Sequence, residues 1–331
     1  MDNYDIPVVV YIFHRLETTK LIFEVLQKVR PRILYVYADG PREGKSEETA
    51  VKEVRDYVNS AVNWECDFVK RYSEVNLSCS PNIVRGFNEV LSKYPYGIFL
   101  EDDAVPTTEF FMYCEVLLKK YKQNKNIQYI AGFNGIGDNN IIENDYSFGR
   151  FAPMSGAIAI WSDKWNEIDD KVQSWPMMKK DKNFASFFFT NEFKHNSYKD
   201  FATIYEKGNG EWDIALQYDT LYRNRFAIVP RINLVRSYGY TDGAFHPQSD
   251  IVAKNLVKYM DYSDKAFEFP MKEPEVIEWN KAYDKERQRI FLAVNGGYVR
   301  RHLHYLHISI KDMAYKYMPR SLWDALKSFK K

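Results

Sequence analysis

Cysteine is scarce in this sequence: Cys66, Cys79 and Cys114 are the only three in 331 residues. An odd trio without metal-type spacing builds neither a disulfide framework nor a zinc knot, so the expectation is a reduced, cytoplasmic chain. Charge of one sign is lacking too. The 46 Lys and Arg nearly cancel the 45 Asp and Glu, leaving a formal +1 that argues against a whole-protein electrostatic grip on nucleic acid. No apolar run approaches the roughly 20 residues that a membrane-spanning helix needs. The opening MDNYDIPVVVYIFHR places acids where a secretory signal carries its basic region, and its apolar run suits one buried strand. There is no Gly-x-Ser-x-Gly, no Walker loop, no zinc motif, no internal repeat and no low-complexity linker.

What is present is an ordinary globular composition, 45% hydrophobic and 27% charged, long enough for one large domain plus an extension or for two modest domains. Aromatics stand out at 16%. Aromatic faces bind sugars and bases, although an AT-rich coding bias also raises Tyr and Phe.

The first hundred residues alternate. IPVVVYIF (6–13), RILYVYADG (32–40), NWECDFVKRY (63–72) and YGIFLEDD (96–103) predict strands. ETTKLIFEVLQKVR, the stretch 45–59 and SPNIVRGFNEVLSKY predict the helices between them. Such alternation implies a mostly parallel sheet with helices on both sides. Beyond it, TTEFFMYCEVLLKKY and EWDIALQYDTLYRN predict helices, and IQYIAGFN, APMSGAIAIW and FAIVPRINLV predict extended segments. The polar, aromatic stretch 170–210 reads as a mobile insertion. Domain boundaries are expected at 1–265 and 266–331. The last part, 299–331, carries eight Lys or Arg against two Asp among many aromatics. That tail suits either an anionic membrane surface or a helical extension packed on the domain with its basic face in water.

The candidate chemistry lies in IFLEDDAVPTTEFF. Glu101, Asp102 and Asp103 crowd behind an apolar run at the carboxyl end of a predicted strand, close to Asp39 at the end of another, and ligands of open α/β sheets bind at that edge. A cation, a proton shared between acids, or a solvated turn could each accommodate the crowding. Alternation along an extended segment would put Glu101 and Asp103 on one side, where two carboxylates can hold Mn²⁺ or Mg²⁺.

FLEDDAVPTTEFFMYC, with VVVYIFHRLETT and YVYADGPR upstream, resembles the nucleotide-sugar half of GT-A glycosyltransferases. The similarity is to bacterial family-2-like enzymes of surface-polysaccharide synthesis and, distantly, to N-acetylglucosaminyltransferase I. NLSCSPNIVRGFNEVL, YIAGFN, RFAPMSGAIAIWSDKW and the run from Glu211 to His246 extend it, in order, over about Ile6–His246. The resemblance implies a Rossmann-like, three-layer α/β/α domain with a C-terminal helical extension. It implies an inverting hexosyl- or N-acetylhexosaminyltransferase that uses Mn²⁺ or Mg²⁺ and a nucleoside diphosphate sugar, UDP-linked by preference. The acceptor would be a glycan or lipid-linked sugar of capsule or lipopolysaccharide type, reached at the inner face of the membrane.

By the same resemblance Phe13, Arg15 and Asp39 form the nucleotide pocket, and Arg85 reaches a phosphate. Asp103 ligates the metal with His246, Asp102 meets ribose or the donor sugar, and Glu101 supports the site. Gly156 faces the donor sugar, although the usual aromatic run there is replaced by Met154-Ser155-Gly156-Ala157. Gly239 and Gly243 suit a closing loop. Asp213 is the general base, with the helix dipole helping to keep it ionised; an N-cap role accounts equally for its position. Three rivals remain. A sugar-phosphate nucleotidyltransferase would show a Gly-rich loop after the first strand, which is missing. A glycoside hydrolase would pair two separated carboxylates. A non-catalytic binder could share the fold.

Overall fold

The computed structural model describes residues 4–154, 156–208, 210–239 and 259–294. The opening alternation forms β1 (Val8–Ile12), α1 (Leu16–Val29), β2 (Ile33–Ala38), α2 (Glu48–Ala61), β3 (Asp67–Tyr72), α3 (Cys79–Leu91) and β4 (Tyr96–Glu101). All five residues of β1 are buried, as a β-branched strand covered on both faces should be. Parallel pairing sets Val10 beside Val36 on one side and Leu100 on the other. α1 buries Ile22, Phe23, Leu26 and Val29, one stripe at helical spacing, and ends where Arg30 turns left-handed.

Next come β5 (Ala104–Pro106), α4 (Thr108–Lys120), β6 (Ile127–Ala131), β7 (Tyr146–Gly149), β8 (Ala157–Trp161) and α5 (Ser162–Asn166). They are followed by α6 (Trp175–Met178), α7 (Lys182–Ala185), α8 (Asn191–Lys207), α9 (Trp212–Tyr222), β9 (Phe226–Pro230), β10 (Val235–Ser237) and α10 (Lys281–Val294). Eight strands make one sheet in the order β3-β2-β1-β4-β8-β6-β9-β7, with β8 and β7 running against the other six. α1, α2 and α4 pack in one layer, and α3, α5 and α9 in another. This is the expected mixed α/β fold with a mostly parallel central sheet flanked by helices. No helix among the described residues is long and apolar enough to cross a membrane.

Three short strands, β5, β7 and β10, escape the sequence pattern wholly or in part. β5 and β10 form a small antiparallel sheet of their own, pairing Ala104 with Ser237 and Pro106 with Val235. It places the chain after β10 directly beside the acidic cluster. β7, at the sheet edge, is only four residues long.

The stretch 170–210 is not a loose insertion. Its short helices and α8 close over an aromatic core in which Phe201 meets Tyr218 at 5.1 Å, Trp175 meets Phe201 at 5.6 Å and Phe184 meets Tyr218 at 5.9 Å, ring centre to ring centre. Asp181 caps α7 by accepting from the Phe184 amide at 2.8 Å, and Thr190 caps α8 in the same way. Helices of four residues show no periodicity, which hides this core from pattern reading. Phe184→Ala is therefore expected to cost about 3–5 kcal/mol of stability, measurable by urea unfolding. A loss below about 1 kcal/mol would mean that the cluster does not unfold with the rest.

The chain divides into two compact units, Met1–Gln288 and Arg289–Lys331. Residues 266–288 pack onto the α/β body. Phe267 meets Tyr113 edge-on at 5.7 Å, Tyr283 donates its hydroxyl to the Asn134 carbonyl at 2.8 Å, and Asp284 accepts from the Arg150 and Phe151 amides.

Candidate functional site

The strand order 3-2-1-4 reverses direction between β1 and β4, and a crevice opens there beyond the carboxyl ends. Phe13, His14 and Arg15 follow β1; Asp39 follows β2; Asn76 and Ser78 lie between β3 and α3; Glu101–Asp103 close β4. Together with the first turn of α3 and Gly239, they line a cleft of about 290 Å³.

Arg15 lines it and binds two of the acids. One nitrogen, Nη1, donates to Asp102 Oδ1 at 2.8 Å and to Asp103 Oδ2 at 2.9 Å, while the Phe13 amide donates to Asp102 Oδ2 at 3.1 Å. A guanidinium thus answers part of the acidic crowding. The pairing differs from the one that strand alternation predicts. β4 ends at Glu101, so Asp102 and Asp103 occupy a turn, and these neighbours, not Glu101 and Asp103, share a partner.

Three acids against one guanidinium leave a negative balance. Removal from water pushes Asp102 up to about 6 against the pull of Arg15, with the Asp103 charge adding to the rise. The same desolvation, followed by repulsion from Asp103, Asp213 and Asp102, holds Glu101 well above the usual carboxylate range.

Two glycines allow the main chain to approach Asp103. Gly156 has φ +70, and a Cβ there would stand 2.8 Å from the Ala104 Cβ and 3.3 Å from Asp103 Oδ1. On the other side, a Cβ on Gly239 would fall 2.7 Å from Asp103 Oδ2. The Tyr238 amide donates to the Asp103 carbonyl at 2.7 Å, which locks the β10 continuation over the turn.

Asp39 is buried, and part of its role is structural. Its Oδ1 accepts from the Gly40 amide at 2.9 Å and the Leu77 amide at 2.7 Å, tying the β3–α3 loop to the end of β2. Desolvation still raises its pKa despite those amides. The tied loop holds Ser78 at φ 72, ψ 159, a conformation that costs a non-glycine residue on the order of 1–3 kcal/mol. Asn82, in the first turn of α3, is 4% exposed, and its Oδ1 has no partner among the described residues; neither does His14 Nδ1. Sequence reading missed Asn76, Ser78 and Asn82. The polar run NLSCSPN before a helix was the available signal.

Asp213 stands in the first turn of α9, behind Glu211 at the N-cap position. Its Oδ1 accepts from the Ile214 amide at 2.9 Å. The helix dipole favours its ionised form, but burial dominates and pushes it up to about 6, with Glu211 and Asp200 adding repulsion. Trp212 belongs to the interior, 5.3 Å from Phe87, which stacks on Phe99 at 3.8 Å. Ser80 Oγ accepts from the Trp212 amide at 2.9 Å and donates to the Gly210 carbonyl at 3.3 Å, joining the starts of α3 and α9.

The structure does not bring Arg85 to the cleft. It is exposed on α3 with its guanidinium 5.7 Å from the centre of the Tyr37 ring, because the buried stripe Asn82-Ile83-Gly86-Phe87-Val90 turns position 85 outward. His246 and Gly243 lie outside the described residues.

No protein-family model matches the chain, and no curated protein matches it. Among solved structures, it is similar to the mannosyltransferase PcManGT from Pyrobaculum calidifontis in complex with GDP-Man and Mn²⁺. That likeness has 8% identity over 66% of this chain and 69% of that one, with a TM-score of 0.33. It is also similar to the glycosyltransferase GlyE of Streptococcus pneumoniae TIGR4, with 11% identity over 78% of this chain and a TM-score of 0.27. The match spans 61% of the GlyE chain. At that level neither structure transfers its ligands or activity to this chain.

Proposed function

We propose that the protein transfers a sugar from a nucleoside diphosphate sugar to a hydroxyl of a glycan or lipid-linked acceptor, with inversion at the anomeric carbon. The observation that carries this reading is a guanidinium-bridged acid pair lining the cleft, with a further buried carboxylate, Asp213, outside that lining but near enough for its charge to bear on Glu101, which does line it. The first suits a diphosphate leaving group, the second an attacking hydroxyl. Phe13, Asp39, Asn76 and Ser78 would wall the nucleotide, with Arg15 towards its phosphates and Gly156 towards the sugar. Asp213 would take the acceptor proton while the freed oxygen attacks the anomeric carbon, whose bond to the diphosphate breaks with its electron pair leaving on the phosphate oxygen.

The donor set fits a hard cation such as Mn²⁺ or Mg²⁺. Among the described residues no three His, Cys, Asp or Glu converge as a closed cage. Such ions commonly take one or two carboxylates and complete their shell with waters and phosphate oxygens. Asp103 would be that carboxylate, with His246 as second ligand. The bound ion would act as a Lewis acid on the departing diphosphate.

A screen of UDP- and GDP-sugars by thermal unfolding, with and without Mn²⁺, tests the reading. A donor present at a hundred times its Kd adds about 2.7 kcal/mol, a clear rise in Tm. If no nucleotide sugar shifts Tm under either condition, the reading fails. We also propose that the basic tail contacts anionic membrane. Deleting the residues after Val299 should abolish co-sedimentation with phosphatidylglycerol vesicles, and equal binding by both forms would refute the contact.

A further inference from the structure

Arg15 has five N–H donors, and Nη1 spends both of its own on Asp102 and Asp103. No hydrogen bond among the described residues occupies Nε or Nη2, and the side chain lines the cleft with 20% of its surface exposed. The acids therefore hold one edge of the planar group and leave the other edge, a two-pronged fork, for an anion. That fork matches two oxygens of a phosphate. The same guanidinium lies 2.9 Å from Asp103 Oδ2, the carboxylate proposed above for the cation, so its positive charge opposes a dication there.

We propose that Arg15 couples the two ligands: it keeps a divalent cation off Asp103 until a nucleoside diphosphate occupies the fork, and so makes cation and nucleotide bind together. This rests on the nucleotide-sugar reading. The diphosphate supplies the negative charge that lets guanidinium and dication share one neighbourhood. Couplings of this kind typically span 5- to 150-fold in affinity. Arg15 is in this sense a positioning residue, and it also guards the site against loading by the cation alone.

The test follows Mn²⁺ binding to the full chain by electron paramagnetic resonance, which counts free Mn²⁺, with and without UDP or GDP. The native protein should bind Mn²⁺ at least about tenfold more tightly when nucleotide is present. Arg15→Gln should bind Mn²⁺ alone about tenfold more tightly than the native chain and lose most of the coupling. Arg15→Lys keeps the charge without the fork, so it should still disfavour Mn²⁺ alone while binding nucleotide more weakly; it also serves if the Gln variant does not fold. Independent binding of Mn²⁺ and nucleotide by the native protein would overturn the inference and leave the function standing. So would a Gln variant, or a Lys variant in its place, that departs from these patterns. If the native chain binds no nucleotide at any Mn²⁺ concentration, both fall.

Discussion

Asp213→Asn is expected to reduce turnover by about 100-fold or more while leaving nucleotide affinity unchanged. The substitution keeps the size of the side chain and an oxygen for the Ile214 amide, so the start of α9 should hold its shape. What disappears is the group that accepts a proton. The native pH profile should carry the same signature. Below about 6 the Asp213 carboxyl is protonated and cannot act as a base, so kcat should rise with pH through that value and then level off. At one unit below, activity should be down by about tenfold. The variant should lack that limb. Near-normal turnover by the Asn variant, or a profile flat from pH 5 to 8, would remove Asp213 as the base.

Asp103→Asn should abolish the dependence of nucleotide binding on Mn²⁺. An amide is a poor ligand for a hard cation. Loss of a group that merely supports a ligand already costs about 10- to 100-fold in metal affinity, so loss of the ligand itself should exceed that. The exchange is nearly isosteric, which matters where Gly156 and Gly239 close in on the side chain at 3.3 and 2.7 Å of a would-be Cβ. Calorimetric titration with UDP or GDP, with and without Mn²⁺, gives the answer. An Asn variant whose affinity in Mn²⁺ equals that of the native protein would exclude Asp103 as the ligand.

Much of the fold was legible because its nucleus is written in continuous β-branched runs. VVVYI and ILYVYA have no reading except strands covered on both faces, and the amphipathic stretches between them fix the crossovers. Direction was harder. AIAIW of β8 is buried throughout, and a strand buried on both faces carries the same pattern whichever way it runs, so its antiparallel placement between β4 and β6 had no signal. The acids were legible as cleft residues from their places at strand ends, whereas Arg15 entered only through the resemblance. Their pairing was not, because it depends on β4 stopping at Glu101. Arg85 could have been placed by counting: three residues on from Asn82, yet outside the stripe that Ile83, Gly86 and Phe87 define, it had to face water. The strain at Ser78 goes with one local bond, from its amide to Asn76 Oδ1, and one distant bond, from the Leu77 amide to Asp39 Oδ1, and the distant one lies beyond any local pattern.

The hydroxyl of Ser80 sits at the seam where the proposed nucleotide wall meets the helix that carries the proposed base. The sheet beneath is held by burial, which warming through the physiological range hardly weakens. Beyond the buried Phe87–Trp212 contact, the start of the seam is held by two hydrogen bonds of one small side chain that water can contest. Heat should therefore misalign donor and acceptor before it melts the molecule, and the temperature of best activity should fall several degrees short of Tm. Coincidence of the two would mean that the seam is as firm as the core.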